Sequence, residues 1–285
     1  MGAERPGDDP AERTTWPRLV WHVLMRFDRQ QMFHHSAALT YYTMLSLFPS
    51  LLVGIALLGL FGEQHTVTDI TDYLASQGAP AAVIEPIGAL LRSTVRARSG
   101  PATATLVLSV VLALVGASGA FAAARRALNV AFGVQESRAF VHRKAGDIGA
   151  TLALIVFAVL ILVLVFLGGD VANQVFGVLG LGEGAAAVWQ VARWPAALAV
   201  TLVAYAFIYT FAPDIQPRRY RTFSPGAFIA VPLWLLVSFG FFTYVAHLGS
   251  LKAYGTFGAA VVLLIWLYLS NAALLLGAEI NATLT

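Results

Sequence analysis

Glu279 is a carboxylate placed directly at the end of a long apolar run, of the kind that forms a membrane-spanning helix. A carboxylate facing lipid is costly, so an acid at that depth is expected to point inward and to exchange a proton or pair with a cation. Arg125 and Arg126 are the candidate partners. Because Glu279 directly follows the end of the run at Ala278, the alternative is a solvated residue outside the apolar layer.

A second group of polar residues forms a stripe within another apolar run. Tyr42, Ser46, Pro49 and Ser50 fall near one face of a helix. Pro49 removes a backbone hydrogen bond and frees a carbonyl, so the stripe can line a pathway for a substrate. The alternative is packing, in which the hydroxyls bond neighbouring helices and Pro49 fixes a kink. We prefer packing, because it is the commoner use of such residues.

Histidines are the remaining candidates for chemistry. His247 and Tyr244 share a face near the end of the apolar run 224–247, with Gly240 on the same face. His247 can titrate there, although an interfacial anchor is the more ordinary role. His34 and His35 are adjacent, so they project to different sides of a helix and make a poor chelating pair. The chain contains no cysteine, which excludes a thiolate metal site and a cysteine nucleophile. We predict no catalytic residue, no cofactor and no metal site.

Membrane helices must position these residues, because 58% of the 285 residues are hydrophobic and only 12% are charged. An ordinary soluble domain has about a quarter of its residues charged. The apolar residues form six runs, each long enough to cross a bilayer as one helix. The spans are predicted at about 36–61, 102–124, 148–167, 194–212, 224–247 and 257–278. The predicted fold is therefore an all-α polytopic membrane protein with six transmembrane helices.

The segments outside the spans complete the predicted organisation. Residues 1–15 are expected to be a disordered cytoplasmic tail, and residues 16–285 a single membrane domain. The segment Trp16–Arg29 separates an apolar face from a basic face, which is typical of an interfacial helix. The loop 62–101 carries apolar residues at helical spacing and predicts an extracytoplasmic helical hairpin. The first residues lack the apolar core of a signal peptide, so the first span is expected to act as the insertion signal.

The distribution of basic residues predicts the orientation. Counted loop by loop, 13 of the 18 Lys and Arg residues fall on one side of the predicted spans and five on the other. The positive-inside rule then places both termini in the cytoplasm. This distribution also explains the sequence pI of about 9.3 without a nucleic-acid partner.

Small residues recur along the second predicted span. Ser109, Ala113, Gly116 and Ala120 follow a helical spacing that leaves a narrow, smooth stripe. Such a stripe allows another helix to approach closely. Two interpretations stay open at this point, a homo-oligomer formed through this face and a contact within one chain.

Four blocks of sequence resemble the YihY/BrkB family of membrane proteins, once labelled ribonuclease BN. The blocks are Ala37-Ala38-Leu39-Thr40-Tyr41-Tyr42-Thr43-Met44-Leu45-Ser46-Leu47-Phe48-Pro49; Ala127-Leu128-Asn129 with Glu136-Ser137-Arg138-Ala139-Phe140; Ser224-Pro225-Gly226-Ala227; and Tyr254-Gly255 leading through Trp266-Leu267-Tyr268 to Gly277-Ala278-Glu279-Ile280-Asn281. They occur in the expected order and cover most of the chain. The resemblance implies a six-helix inner-membrane protein with cytoplasmic termini, discussed in the family as a transporter of lipid-related substrates.

The sequence is compatible with three classes of function to different degrees. A transporter or lipid- and envelope-related translocator of an unidentified substrate, with membrane lipids as partners, predicts a polar path through the bundle. A non-transporting scaffold for envelope assembly predicts a solidly packed bundle with exposed small-residue faces. A membrane enzyme, including a ribonuclease, is disfavoured, because the acids are few and no HExxH or GxSxG motif stands in a suitable context.

Overall fold

The computed structural model describes residues 16–61, 101–166, 182–215, 224–247 and 255–284, with isolated positions between 68 and 92. The helices are α1 (Trp16–Arg29), α2 (Met32–Phe61), α3 (Pro101–Ala131), α4 (Phe140–Phe166), α5 (Gly182–Phe211), α6 (Pro225–His247) and α7 (Gly255–Leu284). Within the described residues, four helices, α4 to α7, are long and apolar enough to cross a membrane. The predicted class, an all-α polytopic membrane protein, is confirmed.

Each of the six predicted spans coincides with one of the helices α2 to α7, to within one residue where a span reaches past a helix end. The main difference is at α5, which begins at Gly182 rather than near Trp194. Glycines at 182 and 184 favoured a loop, because glycine is a poor helix former. They lie in the first turn, however, where the backbone amides have no partner inside the helix. The predicted tail and most of the predicted hairpin lie outside the described residues.

Helix α1 is amphipathic and packs on the rest of the bundle along one side. Val23 and Phe27 are buried there, while Val20, Trp21 and Leu24 are exposed. The chain then turns into α2 at residue 31, whose φ of 55° lies in the left-handed region. The exposed apolar side chains of α1 suit the interfacial position predicted for this helix.

The long helices form a closed ring, in which each of α2 to α6 packs against the next and α7 packs against α2. Helices α3 and α7 also contact each other. Helices α2, α3 and α7 therefore all contact one another, and α4, α5 and α6 complete the ring.

Close backbone approach explains two of these contacts. A Cβ built on Gly116 of α3 would lie 3.1 Å from the Cα of Ser46 in α2. Gly226 of α6 and Gly277 of α7 meet backbone to backbone, and a Cβ on Gly277 would lie 2.6 Å from the Cβ of Ala230. The small-residue stripe around Gly116 is thus used, at that residue, for a contact within the chain.

Buried side chains are concentrated at one end of the bundle. In α7, all but one of the residues from 273 to 281 are buried, whereas no described residue from 260 to 272 is. In α6, the buried residues among the described ones lie at 226–231, apart from Phe241. We call this tightly packed end the charged end, because Arg26, Arg125, Glu136, Arg138, Asp147, Asp214 and Glu279 lie there. The remainder of each long helix is called the far half.

Candidate functional site at the charged end

Glu279 is fully buried, with no exposed surface, and it forms an ion pair with α1. Arg26 Nε donates to Glu279 Oε2 at 3.1 Å, and the Arg26 side chain is 38% exposed. The structure therefore supports the inward-pointing interpretation of Glu279. Its partner is Arg26 and neither of the two arginines expected from sequence.

The same pair ties three helices together. Arg26 Nη2 donates to the carbonyl oxygen of Ala131, at the end of α3, at 2.8 Å. When the side-chain amide of Gln30 is oriented with its nitrogen toward these two acceptors, it donates to Glu279 Oε1 at 2.7 Å and to the carbonyl oxygen of Val130 at 3.1 Å. Arg26 of α1 and Gln30, the residue that follows this helix, thus bond two carbonyls in the last turn of α3 and also hold the buried carboxylate of α7.

A second cluster joins α3, α4 and the loops that follow α3 and α5. Arg125 binds Asp147 through two bonds, from Nε at 2.9 Å and from Nη2 at 3.3 Å. It also forms an ion pair with Glu136, in the loop between α3 and α4. Both Arg125 and Asp147 are buried. A bidentate arginine–carboxylate pair of this kind fixes the geometry of the helices that carry it.

The cluster continues from Glu136 to the end of α5. Arg138 Nε donates to Glu136 Oε1 at 2.7 Å and lies 3.5 Å from Asp214 Oδ1. Burial disfavours the Glu136 anion, but the hydrogen bonds and charges of Arg138 and Arg125 outweigh that effect and lower the pKa of Glu136. We call these residues, Asp147, Arg125, Glu136, Arg138 and Asp214, the ion network.

Neutral groups hold the loops of the ion network in place. Asp214 accepts from the backbone amide and the hydroxyl of Ser137, at 2.8 and 2.6 Å. Asn129 donates to Glu136 at 3.2 Å and accepts from the Asp214 amide at 2.8 Å. Arg138 also donates to the carbonyl of Ala212 at 3.0 Å. The ends of α3 and α5 are therefore joined by both charged and neutral bonds.

Helices α6 and α7 are joined by a separate set of polar contacts. Asn281 donates to the Ser224 hydroxyl at 2.6 Å and accepts from the Gly226 amide at 2.8 Å. In the far half, Trp234 donates to Ser270 at 3.0 Å, and Trp266 donates to Ser238 at 3.1 Å. These bonds and the Gly226–Gly277 contact make the two helices one unit.

The predicted stripe in α2 packs against α3 at its described positions. Ser46 is buried against Gly116 and donates to the carbonyl of Thr43 at 2.8 Å. Tyr42 is half-buried beside Gly119. The side chains of Pro49 and Ser50 lie outside the described residues. The geometry of Ser46 and Tyr42 favours packing and leaves their role in a pathway a prediction.

Tyr244 and His247 lie together near the end of α6 in the far half. Both are exposed, and His247 Nδ1 lies 2.7 Å from the carbonyl oxygen of Thr243. Exposed rings at the end of an apolar helix suit an interfacial anchor. Neither residue contacts Glu279 or the ion network.

Sequence reasoning missed the partner of Glu279 and most of the ion network. Arg26 follows Val23 by three residues and precedes Phe27, so it borders the buried face of α1. That spacing could have indicated an inward-facing arginine. Asp147 lies seven residues into α4, before the uncharged run begins, and looked like a solvated flank. Among the described residues, no group of three acids or histidines is arranged to hold a metal ion.

Comparison with known proteins places these features in a family context. The family model described as "Virulence factor BrkB" matches residues 23–285. The chain is 32% identical over 250 residues to YfkH of Bacillus subtilis, which carries a ribonuclease-like name, and the match covers 87% of this chain and 88% of that protein. No solved structure matches the chain.

Longer relatives are similar over nearly the whole chain. A UPF0761 membrane protein of Alkalilimnicola ehrlichii is 28% identical over 270 residues, covering 92% of this chain and 57% of the relative. One from Chromohalobacter salexigens is 29% identical over 276 residues, covering 94% and 63%. The chain therefore spans less than two thirds of the length of these two relatives.

Proposed function

Because the chain belongs to the BrkB family of membrane proteins, we propose that it is a translocator of the bacterial inner membrane that moves an unidentified lipid- or envelope-related substrate. The observation that carries this proposal is the uneven burial along the ring of helices. Side chains fill the charged end, while described residues of α7 from 260 to 272 are nowhere buried. Among the described residues, the concentration of burial at the charged end fits a bundle that is closed at that end, as in one state of an alternating-access cycle.

We propose that the charged end faces the cytoplasm and that the chain crosses the membrane six times, with both termini inside. The excess of Lys and Arg in alternate loops supports this orientation. The ion network and the Arg26–Glu279 pair then form the cytoplasmic closure. Ion pairs suit such a closure because they can exchange between two discrete arrangements.

A non-transporting scaffold is the alternative. It requires a solid bundle that exposes small-residue faces to partners, whereas Gly116 contacts Ser46 and Gly226 contacts Gly277 within this chain. We propose no enzymatic activity. The ribonuclease-like name belongs to YfkH, and the carboxylates of the ion network are bound to arginine, which leaves them poorly suited to bind a catalytic metal.

Cysteine scanning tests the proposal directly, because the chain contains no cysteine of its own. Each residue of α7 from Val261 to Ile280 is replaced singly by cysteine, and intact cells are treated with a charged, membrane-impermeant thiol reagent. Only thiols in water react. We expect labelling every three or four residues through the far half, ending near Ala273, where burial begins. Absence of labelling at every position from Val261 onward would instead favour the solid scaffold.

A further inference from the structure

The seam between α2 and α3 has a regular antiparallel register. A Cβ built on Gly116 would lie 3.1 Å from Ser46, and one built on Gly119 would lie 3.3 Å from the ring of Tyr42. Toward the charged end, the contact moves three residues forward in α3, from Gly116 to Gly119, and four residues back in α2, from Ser46 to Tyr42. Each step is about one helical turn, so one face of α3 stays against one face of α2 over this length.

Continuing this register brings two basic residues together. Arg126 follows Gly119 by seven residues, and His35 precedes Tyr42 by seven, so each lies two turns farther along the same face. The guanidinium carbon of Arg126 lies 6.0 Å from the centroid of the Tyr42 ring, which fixes the arginine over this seam. Arg126 and His35 thus flank the mouth of the α2–α3 groove.

The charge of Arg126 is left uncompensated within the part of the chain that the structure describes. Arg126 is exposed, and no described carboxylate lies within ion-pairing distance of it. Its neighbour Arg125 is buried and bound to Asp147 and Glu136. Two adjacent arginines therefore have opposite environments, and only Arg126 is available to an anion from outside.

The predicted spans place this group at the depth of the headgroup layer. Arg126 lies two residues beyond the predicted end of the second span, and His35 lies one residue before the predicted start of the first. Deeper along the same helices, Tyr41 and Leu45 of α2 and Val115 of α3 are exposed apolar side chains. A cationic mouth above an apolar surface matches a molecule with an anionic head and acyl chains.

We propose that Arg126 and His35, with the ring of Tyr42 beneath them, bind the phosphate of an anionic phospholipid whose acyl chains lie along α2 and α3. Arginine suits this role, because its planar guanidinium bonds phosphate oxygens in pairs. The site goes beyond the proposed transport activity, since it lies on the outer side of the α2–α3 seam and its occupancy can be measured without any transport assay.

Native mass spectrometry of the full chain in detergent tests the proposal. The protein is titrated with phosphatidylglycerol and, separately, with phosphatidylcholine of the same acyl chains. We expect preferential binding of phosphatidylglycerol. The variant Arg126→Gln should reduce that preference about fivefold, which corresponds to about 1 kcal/mol for one basic residue at the membrane surface. Arg126→Lys should keep most of the preference, and His35→Gln should lower it.

Arg143→Gln is the matched control, because Arg143 has a similar contact with an aromatic ring, 5.5 Å from the centroid of Phe140, on a different helix. It should leave the preference unchanged. Equal loss in the Arg126 and Arg143 variants would mean general surface charge and would overturn the proposal. The same holds if Arg126→Gln has no effect. Full displacement of the lipid by millimolar inorganic phosphate would identify a free-anion site instead.

Discussion

At the scale of single residues, the burial of Glu279 is the feature with the clearest consequence. Its side chain has no exposed surface, and its charge is balanced by an arginine that reaches it from α1. Removing one member of a buried ion pair costs far more than a surface pair contributes, because the remaining charge has neither water nor partner. The pair is therefore a sensitive point of the closed end.

The first prediction concerns this pair. Arg26→Gln should lower the free energy of unfolding by about 2 kcal/mol, less than the roughly 3–5 kcal/mol of a fully buried pair, since Arg26 is partly exposed. The double variant Arg26→Gln/Glu279→Gln should recover part of the loss. Unfolding in mixed micelles measures both. Arg29→Gln, an exposed change on the same helix, is the control, and equal destabilisation by the two single variants would contradict the assignment.

The second prediction concerns pH. The pKa of Glu136 is lowered in the folded protein, mainly through Arg138 and Arg125 acting against the effect of burial. Its contribution to stability is therefore fully present above the ordinary glutamate pKa of about 4.3 and is lost as pH falls through the lower folded value. The acid limb of a stability–pH curve should flatten in Glu136→Gln. An unchanged acid limb would show that other carboxylates dominate it.

At the scale of helices, close packing at glycine defines which helices behave as units. The α6–α7 pair has Gly226 against Gly277, reinforced by bonds from Asn281 and by two Trp–Ser contacts. Without a hydrophobic force between helices in lipid, such close approach and interhelical bonding are what hold them together. A side chain added at this point must therefore separate the pair.

The third prediction follows from that contact. A Cβ on Gly226 would lie 2.7 Å from the side-chain amide of Asn281 and closer still to the Gly277 carbonyl oxygen. Gly226→Ala should thus destabilise the protein by about 1–3 kcal/mol, as overpacking does. Gly240→Ala is the matched control on the same helix, since a Cβ there meets nothing within 4 Å. The melting temperature in detergent distinguishes them, and similar values for the two variants would contradict the contact.

At the scale of the whole molecule, the ion network and the Arg26–Glu279 pair lie at the end of the bundle where the described buried residues are concentrated. The network joins the ends of α3, α4 and α5, and the Arg26–Glu279 pair joins α1, α3 and α7. These contacts surround fully buried apolar residues such as Leu128, Leu275 and Ala278. Opening this end would require the charged contacts to exchange partners.

The fourth prediction tests that requirement. A cysteine at the fully buried position Ala278 should be protected from a thiol reagent applied to the charged end in inverted vesicles. Adding Arg125→Gln removes two ion pairs of the network, and the labelling rate should rise several-fold as the closed state loses stability. Arg143→Gln in the same background should leave the rate unchanged. If the cysteine stays protected in both variants, the ion network does not keep this end of the bundle closed.

How much could be anticipated differs between local and distant features. The class of fold and a helix at each predicted span followed from the length and polarity of apolar runs. The inward orientation of Glu279 was one of two interpretations that the sequence left open, and the cost of exposing a carboxylate to lipid favoured it only for a helix that continues past Ala278 inside the membrane. The early start of α5 at Gly182 was missed, because glycine is common in loops and a glycine in the first turn of a helix gives the same sequence pattern.

The sequence by itself determined where helices form and which residues are too polar to face lipid, since both depend on local composition and the thickness of the bilayer. Only the tertiary structure decided the partners. Arg26 and Glu279 are separated by 253 positions, and no periodicity within either helix specifies the rotation and register that bring them together. The same holds for the α2–α3 register that brings Arg126 opposite His35, because packing of small residues against particular neighbours sets it.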